Sequence, residues 1–410
     1  MKQKKLMLLG GSRYLFPVIK KAHALGLYVI TCDYLPDNDA HKFADEYVNV
    51  SIIDKEATLA AAQERQIDGI MSFACDPGVA TAAYVAEKMG LPFQGSYESV
   101  SILQDKGKFR QFLKDNSFNC PHAKSYTEPK APFCDIDYFT WPVIVKPVDS
   151  AGSKGVTKVD HPEDLPEAIQ TALENGHNGQ FIIEDFLSFE SYHSSTDPFT
   201  VDGELKYISF SDQLFDKDAD NPYTPAFIIW PTTMKQEHQD YLSSEIQRLM
   251  HLLNMKTGIY NIESVVGKGG IPYIMEVSPR GGGCKIAELQ EMSVGVNVIE
   301  NEIRKAVGMP LLPIEENPIE GHWCEMIVHA RPGQEGKFER MVIREDMKQN
   351  NVRVVDMSTK PGDYVHPFTG ANMAFGDVIL QCDTREELLR CISLTSDSLK
   401  LSPITESLSK

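Results

Sequence analysis

No stretch of this chain approaches the roughly twenty apolar residues that a membrane-spanning helix needs, and its apolar runs are only strand-sized. Positive charge is also scarce: Lys and Arg number 40 against 58 Asp and Glu, a formal net charge of −18. With no basic stripe to neutralise a run of phosphates, nucleic-acid binding is not expected. The eight cysteines are scattered and contain no C-x-x-C pair, so neither a zinc motif nor a disulfide framework is expected. They read as reduced thiols of a cytoplasmic protein. The basic start MKQKKLMLLGG stops being apolar at Gly10 and reads as a buried strand rather than a leader. Motif-level absences narrow the chemistry further. There is no Ser–His or Cys–His relay pattern, no G-K-[ST] phosphate loop and no redox motif. Cys284, beside a triple glycine, reads as a small packing residue rather than a nucleophile.

What is present is an ordinary globular composition, 42% hydrophobic and 24% charged over 410 residues, enough for two or three domains. Residues 1–104 alternate strands (Lys5–Leu9, Tyr28–Cys32, Tyr47–Ile52, Gly69–Phe73, Pro92–Gln94) with helices (Phe16–Leu25, Thr58–Gln66, Gly78–Met89), which predicts an α/β domain with a parallel sheet. Gly10-Gly11 and Asp33 imitate a dinucleotide fingerprint. GGSRYLF lacks the later glycines of G-x-G-x-x-G, so NAD binding is disfavoured. A second segment, 105–310, opens with the amphipathic helix DKGKFRQFLKDN. A Pro-rich break, GMPLLPIEENP, precedes a third segment, 311–410, of short strands and a closing helix capped by Asp383 or Thr384.

Two stretches carry the chemistry. GIYNIESVVGKGGIPYIMEVSPRGGG holds two alternating runs about a glycine turn, a hairpin signal. Each run places a carboxylate, Glu263 and Glu276, where they can sit side by side on one face. Two like charges so placed need a cation between them. Ser278 and Arg280 continue that face. The other stretch, WPVIVKPVDSAGSKGVTKV, is a strand bearing Lys146, a small flexible loop (Ser150, Gly152, Ser153, Lys154, Gly155) rich in N–H donors, and a second strand. Such a loop suits wrapping a polyphosphate.

E-x12-E-V-S-P-R, the strand–Lys–Pro–glycine-loop–strand order and FIIEDFL together resemble the ATP-grasp superfamily of ligases. The resemblance implies a Rossmann-like first domain, a two-lobed α+β nucleotide domain and a C-terminal α+β domain similar to that of L-amino acid ligases and biotin carboxylase. It implies ATP and Mg2+ (or Mn2+), with Glu263, Glu276 and Ser278 as metal ligands, Ser278 standing where the family has Asn. Lys106 and Lys146 would hold phosphates under the flap, and Arg280 would clamp the γ-phosphate or the substrate carboxylate. Glu184 would face the adenine amino group, and the backbone from Asp185 to Leu187 would read the adenine edge. Either Glu190 or His193 would take the ribose. The activity implied is ATP-dependent joining of a small carboxylate to an amine through an acylphosphate, with no nucleic-acid or membrane partner and with homodimerisation open. Alternatives are a bicarbonate-activating enzyme, a non-catalytic nucleotide-binding module and an oxidoreductase built on the first domain.

Overall fold

The computed structural model describes residues 2–150 and 154–398. The first segment forms β1 (Lys5–Leu9), α1 (Phe16–Ala24), β2 (Tyr28–Asp33), β3 (Glu46–Asn49), α2 (Lys55–Arg65), β4 (Gly69–Ser72), α3 (Asp76–Met89) and α4 (Tyr97–Gln104). The four strands pair in parallel in the order β3-β2-β1-β4. Their near-continuous Leu, Ile, Val and Met runs are what a sheet covered on both faces requires. The expected fifth strand, Pro92–Gln94, is irregular instead. Gln94 turns away from the sheet: its carbonyl accepts from Lys256 N and its side chain enters a buried network with Glu302 and Lys305.

Asp105 caps α5 (Lys106–Asp115) by accepting from Lys108 N at 2.9 Å, which starts a new helix directly behind α4. There follow β5 (Ala123–Tyr126), β6 (Val143–Pro147), β7 (Thr157–Val159), α6 (Leu165–Asn175) and β8 (Phe181–Asp185), an antiparallel sheet of order β5-β8-β6-β7. One face of this sheet buries Val143, Val145, Phe181 and Ile183 against Leu165, Ala168, Ile169 and Ala172 of α6. By the two-residue period, the opposite face presents Ile144, Lys146, Ile182 and Glu184.

The facing lobe contains β9 (Ser194–Thr196), β10 (Phe199–Val201), β11 (Glu204–Tyr207), β12 (Asp212–Phe215), β13 (Pro225–Trp230), α7 (Gln236–Leu252), β14 (Gly258–Ile259), β15 (Asn261–Gly267), β16 (Ile271–Ser278), α8 (Ile286–Val294) and α9 (Val298–Ala306). The β15–β16 hairpin adds β9 on its other side, and α7 packs Leu242, Ile246 and Leu249 beneath it. Helix α9 returns to the first domain, where Ile299, Ile303 and Val307 join its core. Gly69 lets β4 approach so closely that a Cβ there would lie 2.3 Å from the Ala306 carbonyl oxygen.

The remaining elements are β17 (His322–Val328), β18 (Gly336–Lys337), α10 (Glu345–Asn350), β19 (Val352–Met357), β20 (Tyr364–Val365), β21 (Gly376–Cys382) and α11 (Arg385–Ser398). Thr384 caps α11, with its hydroxyl accepting from Glu387 N. The antiparallel sheet β12-β13-β17-β21-β19 draws its first two strands from before residue 310 and the rest from after it, so the core of the last segment crosses the boundary expected there. No helix among the described residues is long and apolar enough to cross a membrane.

Candidate functional site

Glu263 and Glu276 stand directly opposite each other on β15 and β16. A bulge between Glu263 and Ser264 breaks the register just beyond them, a device that re-aims side chains in a sheet. Burial, and then the charge of Glu276, push the Glu263 carboxyl up to about 7. Glu276 is the more open of the two, and Lys106 Nζ lies 3.9 Å from its Oε2. The same ammonium donates to the Ser150 carbonyl at 2.8 Å, and Lys106 N donates to Val148 O. The first turn of α5 is thereby fastened to the root of the glycine loop, close to the paired acids.

Lys146 rises from β6 to meet Glu184 of β8 at 2.8 Å. Arg110 of α5 approaches the same carboxylate, Nε to Oε1 at 3.0 Å, within ion-pair range though off the line of a good hydrogen bond. Burial alone would raise the Glu184 pKa; the charges of Arg110 and Lys146 outweigh it and hold the carboxyl down at about 2. Burial also lowers the Lys146 pKa, partly offset by Glu184. Glu184, expected to face an adenine amino group, is paired in this structure with both cations.

The hinge also differs in detail. Asp185 N donates to His122 O and Phe186 N to Pro142 O, both at 2.9 Å. The Asp185 carboxylate accepts from Thr140 N and meets His122. Of the expected edge-reading backbone, Leu187 alone has both N–H and C=O without a hydrogen bond among the described residues. Glu190 is exposed and accepts from Gly269 N at the hairpin turn, the far end from the paired acids. His193 packs its ring against Phe189 and Phe215 and directly precedes β9, whose Ser195 pairs with Glu263. Burial lowers its pKa to about 4, so the imidazole is neutral. Gly152 and Ser153 lie outside the described residues. Lys154 is exposed, and Gly155 takes φ +69°, where an added Cβ would lie 2.7 Å from Asn175 Cβ.

Ser278 and Arg280 are engaged by a residue that the sequence reading passed over. Asp76, at the start of α3, accepts from the Ser278 hydroxyl at 2.7 Å and takes Arg280 in a fork, with Nε at 2.9 Å and Nη2 at 2.7 Å. Ser278 also accepts from Gln104, and Arg280 Nη1 donates to Gly281 O. Ser278 is thus buried in a hydrogen-bonded tie between segments, and the Arg280 fork, expected to clamp a phosphate or a carboxylate, holds the Asp76 carboxylate in this structure. The signal for Asp76 was its place at the carboxyl end of a parallel strand, where α/β sheets assemble their sites. Arg110 was hidden because it sits among the apolar positions of an amphipathic helix. Beneath the loop after Arg280, Asp197 accepts from Gly282 N at 2.6 Å and from Asn261, and its burial raises the carboxyl to about 6. A groove of about 1060 Å³ runs along α5 past Lys108, Gln111, His122 and Tyr138, and its lining does not include Lys146 or the paired acids.

Lys146 on the small sheet, Arg110 and Lys106 on α5 and the paired acids of the bulged hairpin are thus gathered between two lobes. Residues 103–284 match the family model described as the ATP-grasp domain. It is 30% identical over 196 residues to a formate-dependent phosphoribosylglycinamide formyltransferase of Synechococcus sp., a match that spans 45% of this chain and 48% of the relative, about half of its length. With the enzyme of the same description from Parasynechococcus marenigrum, identity is 24% over 330 residues, 75% of this chain and 78% of the relative. The crystal structure of an L-amino acid ligase from Bacillus licheniformis superposes with a TM-score of 0.79 at 21% identity, covering 97% of this chain and 98% of the other. That likeness is one of fold.

Proposed function

We propose that the protein is an ATP-dependent, ADP-forming ligase that activates a small carboxylate and passes its acyl group to an amine. The observation that carries this reading is the opposed pair Glu263 and Glu276, with Lys106 3.9 Å from the second carboxylate. The donor set fits Mg2+: two carboxylates, one of them held near 7 by burial and by the other's charge, make an all-oxygen site for a hard divalent cation. Bound there, the ion would neutralise charge on the β- and γ-phosphates. Lys106 and Lys146 hold the polyphosphate in line, and Glu184 stays compensated by Arg110 as Lys146 turns to the phosphates. Leu187 supplies the free backbone donor and acceptor for the adenine edge, and His193, neutral and flat, lies nearer the paired acids than Glu190 for the ribose. Arg280, steered by Asp76, contributes a fixed positive charge beside the transferred group.

The chemistry balances without a nucleophilic side chain. A substrate carboxylate oxygen attacks the γ-phosphorus, and the bond to the β–γ bridging oxygen breaks, releasing ADP. The amine nitrogen then attacks the acyl carbon. Phosphate leaves with the former carboxylate oxygen, and the nitrogen gives up its proton. A phosphate-release screen over carboxylate and amine pairs tests this, beginning with formate, the acid named for the relatives above, and run with and without bicarbonate. ADP and phosphate release requiring both an acid and an amine is the expected result. Release that needs bicarbonate alone would move the protein to the bicarbonate-activating class.

A further inference from the structure

Away from the paired hairpin acids, a second group of metal-ligating side chains converges where the loop after Arg280, the central sheet of the last segment and the first-domain loop at Arg13 meet. Glu325 of β17 and Asp377 of β21 are diagonal neighbours on one sheet face, since Glu325 pairs with Ile379 and Ile327 with Asp377. Cys284 reaches the same point from the glycine loop with a left-handed backbone, φ +56°. One ligand atom from each of the three lies within 4.8 Å of the others.

The hydrogen bonding leaves this group incomplete. Glu325 Oε1 accepts from Lys285 N at 2.6 Å, and Asp377 Oδ2 accepts from Arg13 Nη1 at 2.7 Å. The second oxygen of each carboxylate, Glu325 Oε2 and Asp377 Oδ1, is shut off from solvent and has no hydrogen-bond partner among the described residues. Glu325 and Asp377 are 0% and 1% exposed. A buried carboxylate oxygen left without a partner is destabilising, and here two share one space. Nearby charge does not resolve it. The Lys285 ammonium is shared with Asp356 at 2.7 Å and Glu288 at 3.3 Å, and Arg13 pairs with Asp377 through the oxygen that is already bonded. Tyr14 lies within hydrogen-bonding reach of the thiol.

We propose that Cys284, Glu325 and Asp377 form a second metal site, distinct from the nucleotide-linked one, which takes a single Zn2+. A thiolate with two carboxylates is a mixed S/O donor set that favours Zn2+ over Mg2+. Three protein ligands leave a fourth position, and a cavity of about 40 Å³ bordered by Cys284, Asp377, Arg13 and Tyr14 gives it room for a water. Ligand atoms around tetrahedral zinc stand about 3.5 Å apart, so binding draws the three together by small side-chain rotations. The ion supplies the positive charge that both free oxygens lack and ties three distant parts of the chain at one point. Cysteine spacing gave no hint of it because the ligands come from separate segments.

The test is a titration of the chelator-treated full-length protein with Cd2+, following the ultraviolet thiolate-to-cadmium charge-transfer band, with equilibrium dialysis of Zn2+ in parallel. Cys382 and Cys391, whose sulfurs lie 3.8 Å apart, are the competing soft site, so the titration uses a Cys391→Ser background. One equivalent with a thiolate band is expected. Cys284→Ser should abolish the band, Asp377→Asn and Glu325→Gln should each weaken binding at least tenfold with the thiol intact, and Glu276→Gln should leave the thiolate band and the Cd2+ concentration at which it appears unmoved. Near-ultraviolet circular dichroism checks that each variant is folded. No band in the folded protein, a band that survives Cys284→Ser, or undiminished affinity in both folded carboxylate variants would overturn the site.

Discussion

Lys146 and Glu263 show how environment, rather than residue type, sets what a side chain can do. Lys146 is held by Glu184 and depressed by burial. Lys146→Met should therefore remove most of the thermal stabilisation that ATP confers, about 2.7 kcal/mol at a hundredfold excess over Kd. Removing one cation from the buried carboxylate should also lower apo stability by about 1–3 kcal/mol, less than a full buried-pair loss because Arg110 remains. Full stabilisation by ATP in a folded Lys146→Met protein would take this lysine out of the site. Glu263 titrates near 7 in the fold against an ordinary value of 4.5. The folded state then binds this proton more tightly than the unfolded chain, so its contribution is complete below about pH 4.5 and is lost as pH rises to about 7. Melting of the metal-free protein across that window should slope downward with pH, and Glu263→Gln should flatten it. Mg2+ affinity should rise over the same window as the proton stops competing. That Glu263 and Glu276 face each other was legible in the alternating hairpin pattern, and Lys146 at the end of its strand likewise, whereas Lys106, in the first turn of a helix, was singled out by resemblance alone. Asp76 and Arg110 were not, since their partners Arg280 and Glu184 come from far along the chain and their spacing carries no pattern.

At the scale of elements, the hairpin and the start of α3 form one device. The bulge after Glu263 sets the pair, and Asp76 anchors the strand end through Ser278 and Arg280. Glu276→Gln should melt almost normally without nucleotide yet lose at least a hundredfold in magnesium-dependent turnover; unchanged turnover would remove the hairpin from the chemistry. Asp76→Asn should instead be a folding variant. It leaves a buried guanidinium half-paired and should lower stability by about 3 kcal/mol, and a melting temperature equal to that of the wild type would show the tie to be idle. Element types were largely readable from periodicity: β1, β2, α5 and the hairpin fall where the patterns place them. The failures have physical causes. Pro92–Gln94 is too short to compete with the interdomain bonds of Gln94, and α4 was missed because YESVSILQ is short and mixed, its helix set by the Ser96 cap and by packing on α3 and α5.

Across the whole molecule, first and last segments close on the middle one. Arg13 reaches Asp377, Arg280 reaches Asp76, and α9 completes the first domain's core. Such closure could not be read from the sequence, because each contact joins segments whose separation leaves no local trace. Its consequence is that an acylphosphate formed beside Glu276 would be sheltered by all three parts of the chain. The direct measurement of that chemistry follows oxygen. A carboxylate substrate from the screen, labelled with 18O in both oxygens, is turned over with ATP and the amine, and the released phosphate is analysed by mass spectrometry. The account predicts one 18O in each phosphate released, with ADP as the other nucleotide product. Unlabelled phosphate, or label appearing in AMP, would contradict it.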